Sequence, residues 1–262
     1  MKYFDSHAHY WDSRFTENEG SADALLGALL AESVSGIVNV GTDPNTSRIA
    51  LSQAMRFENV YATAGIHPSD TRFLSDLDAE LSEIESLIKG NQGKIVALGE
   101  IGLDYHYEDT DKATQARYFD AQLCLAETLD VPVVIHDREA HGDVMEAILR
   151  HPRVLGVFHS FSGSPEMAKE LARRGWMISF SGTVSFKNAA KVRAAAAIVP
   201  NELLMIETDA PYLTPHPFRG ERNDSSYLSY TSAALAQAKG IEEELCAEIT
   251  EKNARRFFRL KP

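Results

Sequence analysis

Short apolar runs alternate with longer amphipathic ones along the whole chain. Eight runs rich in Val, Ile, Leu and Phe, each bounded by turn residues, predict strands. They are Tyr3 to His9, Gly36 to Gly41, Val60 to Ile66, Ile95 to Glu100, Pro132 to His136, Val154 to His159, Trp176 to Phe180, and Leu203 to Asp209. Between them the period changes. Leu25, Leu26, Leu29 and Leu30 recur at helical spacing within Ser21 to Ser33, and Thr114 to Leu129 and Arg138 to Arg150 follow the same pattern. Pro44 and Pro165 fall where a first helical turn accepts proline. Segments 226–239 and 242–258 complete the helical set. Strands alternating with helices imply a parallel sheet, and eight is the number that closes it, so the expected fold is an α/β class (β/α)8 TIM barrel. No composition shift marks a linker, so residues 1–262 read as a single domain.

The polar positions add direction. The stretches Trp11 to Gly20, Ser69 to Asp76, Tyr105 to Lys112 and Pro211 to Ser225 are long, and each follows the C-terminal end of a strand, which in barrels is the catalytic face. Strict alternation along a strand puts Asp5, His7 and His9 on one face, Val96, Leu98 and Glu100 on another, and Met205, Glu207 and Asp209 on a third. His136 and His159 end the fifth and sixth strands. Four histidines and two carboxylates therefore end five strands that a closed barrel would gather around one axis. Imidazole and carboxylate are the donors for Zn, Mn, Fe, Co or Ni. Six donors are more than one ion needs, and a carboxylate amid histidines can bridge two ions, with Glu100 the candidate bridge. Taken singly, each residue has an ordinary reading: a buried histidine satisfied by a carbonyl, a carboxylate at a barrel mouth, or, for Asp209 before Ala-Pro, a turn or cap.

Composition changes the picture in three places. The formal net charge is −12, which argues against a protein that coats long duplex DNA but not against one that grips one or two phosphates. Two isolated cysteines, Cys124 and Cys246, form neither a disulfide framework nor a zinc motif and suit a reducing compartment. With no export signal or membrane-length apolar run, the expected location is the cytoplasm, with no membrane attachment and no obligate protein partner.

Six stretches carry a resemblance. They are Phe-Asp-Ser-His-Ala-His (4–9), Ala-Gly-Ile-His-Pro (64–68), Ala-Leu-Gly-Glu-Ile-Gly-Leu-Asp-Tyr (97–105), Val-Ile-His-Asp-Arg-Glu-Ala (134–140), His-Ser-Phe-Ser-Gly (159–163) and Glu-Thr-Asp-Ala-Pro-Tyr-Leu (207–213). In this order, across nearly the whole chain, they resemble the TatD family of metal-dependent deoxyribonucleases. The resemblance implies hydrolysis of DNA phosphodiester bonds, often as a 3′-to-5′ exonuclease, with two divalent ions (Mg, Mn or Zn) as cofactors. It implies that His7, His9, Glu100 and Asp209 hold one ion, and Glu100, His136 and His159 the other. Ser160 stands where the family often has Cys, and Asn223-Asp224-Ser225 where a proline commonly follows. Both departures lie beside the ligands and bear on substrate preference.

Within that frame Glu100 and Asp209 are the candidate catalytic residues, Asp209 as proton acceptor from the attacking water. Arg138 is a candidate phosphate contact, with an ion pair to Glu139 or Glu100 as the alternative. His67 is a candidate substrate contact, or else makes a structural hydrogen bond. Asp104, Asp5 and Glu207 are candidate outer partners of the ligands. Arg219 and Arg222 could reach a DNA backbone or be solvated loop charges. Trp11, Phe15 and Tyr212 could stack on unpaired bases or pack on the rim. The expected partner is DNA, single-stranded or at 3′ ends. The competing readings are an amidohydrolase, lactonase or phosphotriesterase on the same scaffold, and a metal-binding scaffold without catalysis.

Overall fold

The computed structural model describes residues 1–17, 21–74, 76–107, 109 and 111–261. Parts of three of the long loops, residues 18–20, 75, 108 and 110, therefore lie outside the described residues.

Among the described residues the strands are β1 (Tyr3–Ala8), β2 (Val34–Val40), β3 (Val60–Ala64), β4 (Ile95–Asp104), β5 (Val133–Arg138), β6 (Gly156–Phe158), β7 (Met177–Phe180) and β8 (Leu204–Ile206). They pair in parallel in chain order, β1 to β8. A bridge between Ala8 and Ala210 brings the two edges together, with His9 N–H donating to Ala210 O at 2.7 Å and Asp209 N–H to His7 O at 2.9 Å. The helices are α1 (Ser13–Thr16), α2 (Ser21–Glu32), α3 (Pro44–Ala54), α4 (Leu77–Gly90), α5 (Lys112–Leu129), α6 (His141–Arg150), α7 (Pro165–Arg173), α8 (Ala190–Ile198), α9 (Leu228–Lys239) and α10 (Glu243–Phe257). This is the (β/α)8 barrel that the hydrophobic periods imply. Among the described residues no helix is long and apolar enough to cross a membrane.

Local signals explain where elements start. Asp43 caps α3 by accepting from Thr46 N–H, with Pro44 in the first turn, and Ser164 does the same ahead of Pro165 in α7. Several predicted boundaries move. α6 begins at His141 rather than Arg138, because β4 and β5 keep pairing as far as Asp104 and Arg138. β8 ends at Ile206, before Glu207 and Asp209, since Asp209 takes a left-handed φ of 58° that no strand accommodates.

The core divides by strand face. Phe4, Val38, Val40, Val96, Val134, Val157, Met177 and Met205 fill the barrel interior, floored by Ala254 and Phe258. Ile37, Leu98, Ile101, Ile135, Phe158 and Ile178 pack outward in the larger core beneath the helices. Among several register shifts, one in β1 and one in β4 break strict alternation beside the site, and both correct the predicted faces. Asp5 lies opposite Ile37 but Ala8 lies opposite Asn39, so three steps of β1 span two of β2. Phe4 and Ser6 point inward. The extra residue then turns His7 and His9 inward too and leaves Asp5 on the other side. In β4, Leu98 faces Val133 while Ile101 faces Ile135, a second extra residue. Val96 lines the interior, Leu98 packs outward, and Glu100 returns to the axis.

Gly102 follows directly on this bulge. Its φ is 144°, and a Cβ there would stand 1.9 Å from the His136 carbonyl oxygen. Gly102→Ala therefore forces β4 and β5 apart beside His136. A loss of about 1–3 kcal/mol is expected from overpacking alone, read as a lower urea midpoint at unchanged m; an unaltered midpoint would refute the close approach.

Candidate metal centre

Glu100 sits at the centre of the barrel mouth, buried, with its two oxygens facing different partners. Oε2 lies 3.4 Å from His7 Nε2 and 3.7 Å from His9 Nε2. Asp209 closes this side, its Oδ1 being 3.3 Å from His9 Nε2 and 3.7 Å from His7 Nε2. Oε1 lies 2.8 Å from both His136 Nδ1 and His159 Nε2. The bulges in β1 and β4 create this geometry, because they re-aim His7, His9 and Glu100 onto the axis.

The backs of the rings set the tautomers. His9 Nδ1 donates to Val40 O at 2.8 Å, His136 Nε2 to Asp104 Oδ2 at 3.0 Å, and His159 Nδ1 to Glu207 Oε1 at 3.2 Å. A neutral ring with its N–H spent outward turns a lone pair inward. Three such lone pairs then face the oxygens of Glu100 and Asp209, and His7 Nε2 stands only 3.1 Å from His9 Nε2. Acceptors crowded on acceptors repel unless a cation lies among them. The nitrogen and oxygen donors fit divalent ions on either side of Glu100, and their softness suits Zn or Mn better than Mg.

Without an ion, a proton on His159 meets the same demand for positive charge beside Glu100. Burial alone would raise the Glu100 carboxyl, but the histidines packed around it, His159 foremost, hold it well below the usual range. Burial would lower His159, yet Glu100 and Glu207 hold it well above its ordinary value. The protein thus stabilises an anion here and demands positive charge around it.

The outer partners divide. Asp104 accepts from His136, and Glu207 accepts from both His159 and Ser160 N–H, the latter at 2.7 Å. Both stand where a partner of a ligating ring belongs. Asp5 does not. It accepts from Thr208 Oγ1 and Ser225 Oγ, each at 2.6 Å, from Thr208 N–H at 3.0 Å, and from the backbone, not the ring, of His7. The expectation that Asp5 orients a histidine ring is corrected: the bulge in β1 turns it to the far side, where it ties the end of the last long loop to the strand. Burial raises its pKa to about 6 despite these bonds. Glu207→Gln removes the charge behind His159 while keeping its volume. An ion there is expected to dissociate about 10-fold more readily, measured as metal retained against increasing chelator; equal retention would count against the role.

A cavity of about 610 Å³ opens over Glu100. Arg138 lines it, exposed, its guanidinium 5.7 Å from the Tyr107 ring centroid. Among the described residues it makes no ion pair, so the predicted alternative pairing with Glu139 or Glu100 is not formed. His67 also lines the cavity. Its Nδ1 accepts from Ser69 N–H at 3.1 Å, and its Nε2 lies 3.5 Å from Glu100 Oε1. Burial, with His136 beside it, drops its pKa to about 3, so the ring is neutral.

Trp11 and Tyr212 border the cavity. Trp11 donates its indole N–H to Val40 O at 2.7 Å, and Arg14 covers the Tyr212 ring at 4.2 Å. Phe15 is buried against Tyr10 and offers no face to a base, which excludes its stacking role. Arg222 is spent on Arg14 O at 2.9 Å and on the Phe15 ring, and Arg219 lies over Phe186 at 4.1 Å, so both serve loop packing.

Sequence reasoning passed over Asp70, Ser162 and Thr183, which line the cavity with Ser160. Asp70 was the most accessible of these, since it follows His67 in a long loop after a strand. Burial, countered by Thr42 and reinforced by Asp43 and Glu100, raises it to about 6.

Comparisons with known proteins bear on the family. The profile of the family described as "TatD related DNase" matches residues 4–259. A Bacillus subtilis protein named "Uncharacterized metal-dependent hydrolase YabD" is 37% identical over 260 residues, covering 98% of this chain and 99% of that protein. A Mycobacterium tuberculosis protein named "Uncharacterized metal-dependent hydrolase TatD" is 34% identical over 263 residues, covering 98% and 97%. The solved structure of YJJV, a TatD homologue from Escherichia coli, superposes with a TM-score of 0.89 at 29% identity, over 99% of this chain and 98% of that one. A match this long and this similar, on a barrel that gathers its histidines and acids at one mouth, shows that the chain belongs to the TatD related DNase family.

Proposed function

We propose that this protein is a divalent-metal-dependent hydrolase that cleaves DNA phosphodiester bonds, acting as a 3′-to-5′ exodeoxyribonuclease on single-stranded or 3′ ends. The observation that carries the reading is Glu100, whose two oxygens face separate donor sets in the floor of an open cavity. His7, His9, Glu100 and Asp209 would hold one ion, and Glu100, His136 and His159 the other. Two divalent ions so held would supply Lewis acidity, to acidify a water and offset charge on phosphoryl oxygens.

The chain's own groups do the rest. Asp209 lines the cavity as a carboxylate and accepts the water proton as the oxygen attacks phosphorus. The new P–O bond forms while the bond to the departing sugar oxygen breaks, and that oxygen takes up a proton from solvent. Arg138 at the mouth suits a non-bridging phosphate oxygen, since among the described residues its fork pairs with no carboxylate. Trp11 and Tyr212 flank the opening as apolar surfaces for a base. A cavity of this volume holds a nucleotide-sized group. The acidic chain favours short contacts at strand ends over long duplex tracts.

The test compares a 3′-labelled single strand, a duplex and a panel of lactones, each with Mg or Mn and with chelator. Metal-dependent loss of the 3′ label from the single strand is expected. Lactone turnover without phosphodiester cleavage would overturn the reading in favour of another hydrolase on this scaffold.

A further inference from the structure

Away from the barrel mouth, α5 carries Asp120, Cys124 and Glu127 at i, i+4 and i+7, one stripe of the helix. Facing that stripe is His151, the residue that ends α6, only 7% exposed. Its Nε2 lies 3.1 Å from Asp120 Oδ1, and its Nδ1 lies 4.0 Å from Glu127 Oε1. One donor atom each from Asp120, Cys124 and His151 lie within 4.8 Å of one another. Arg150 and Arg153 reach the same two acids, at 3.3 and 3.0 Å, and hold them in place.

We propose that Asp120, Cys124 and His151 form a second cation site, separate from the barrel centre, that takes one zinc-class divalent ion between α5 and α6.

One pair of donors already stands at the spacing such an ion requires. Bonds of about 2.0–2.3 Å in a tetrahedron place neighbouring nitrogen and oxygen donors about 3.3 Å apart, near the spacing of Nε2 and Oδ1. The ion takes the position of the proton now shared between those atoms. That proton passes to Nδ1 through solvent, and the Cys124 thiol releases its own. His151 then points its remaining N–H at Glu127, and a carboxylate behind a ligating imidazole is the usual support for such a ring. Water completes the coordination at this surface position.

The surroundings favour a bound cation over a reactive thiol. Partial burial, Asp120 and Glu127 all raise the Cys124 thiol, so a bare thiolate is disfavoured until positive charge arrives. The other cysteine, Cys246, is buried elsewhere, between α9 and α10. The barrel centre contains no sulfur among its described donors, so the two sites are separable by spectroscopy. α5 and α6 follow the strands that carry Glu100 and His136, and an ion here would staple that pair of helices.

The full-length chain, stripped with chelator, is titrated with cadmium while the ultraviolet thiolate-to-metal charge-transfer band is followed. One equivalent of the band is expected. Cys124→Ser should abolish it, and Asp120→Asn or His151→Gln should raise the half-saturating concentration about 10-fold or more. In parallel, zinc should protect Cys124 of the unaltered protein from alkylation, and chelator should reverse the protection; this arm does not depend on any variant folding. An absent band, or a band that survives in Cys124→Ser, overturns the proposal. So does a titration unchanged by both Asp120→Asn and His151→Gln, which would mean a lone thiol binding cadmium.

Discussion

Glu100→Gln is expected to lower kcat about 10³-fold or more, in line with removing a preorganised charge from a catalytic centre, and to reduce the metal content of the purified protein. The substitution keeps the shape and removes the one anion common to both donor sets. Glu100 Oε1 stands 2.8 Å from His136 and His159, and Oε2 faces His7 and His9. An amide in its place points N–H groups at lone pairs on one side and leaves no negative charge to share. The stability of the fold should survive, since a buried charge is being removed rather than a packing group. The checks are metal content by atomic absorption, turnover of a 3′-labelled strand, and far-ultraviolet circular dichroism. A folded variant with full metal content and full turnover would refute the central role of Glu100.

Asp209→Asn should behave differently. Asp209 borders only one donor set, its Oδ1 near His9 and His7, and it lines the open cavity. Most of the bound metal should therefore remain. The loss should fall on kcat, about 10²–10⁴-fold, as expected for a removed proton acceptor, with KM little changed. The backbone should tolerate the exchange. Asp209 occupies the left-handed region at φ 58°, which asparagine enters readily, and its N–H bond to His7 O does not involve the side chain. If kcat and metal content both stayed at the level of the unaltered protein, the acceptor role would be wrong. If metal content collapsed along with kcat, Asp209 would be a ligand alone. Glu100→Gln and Asp209→Asn together separate holding the ions from moving the proton.

Much of the site was legible before any coordinates. His7, His9, Glu100, His136, His159 and Asp209 stand where the apolar runs stop, although β4 and β5 pair on past Glu100 and His136 to Asp104 and Arg138. Glu207 was found because it shares a face with Asp209. Asp5 misled because it has the same spacing from His7 that His7 has from His9, and only pairing with β2 shows that a residue is inserted between them. Leu98 misled in β4 in the same way. Phe15 reads as a loop aromatic, but its burial against Tyr10 depends on how the loop folds back.

The sequence alone determined the class of fold, the order of its strands and the identity of the residues at the barrel mouth, because hydrophobic period and donor chemistry are local properties. The tertiary structure decided which oxygen of Glu100 meets which histidine and which ring nitrogen turns inward. It also decided that His151 lies against Asp120 and Cys124 of another helix. Such facts arise from contacts between distant segments, and no local pattern along the chain records the register at which two strands or helices meet.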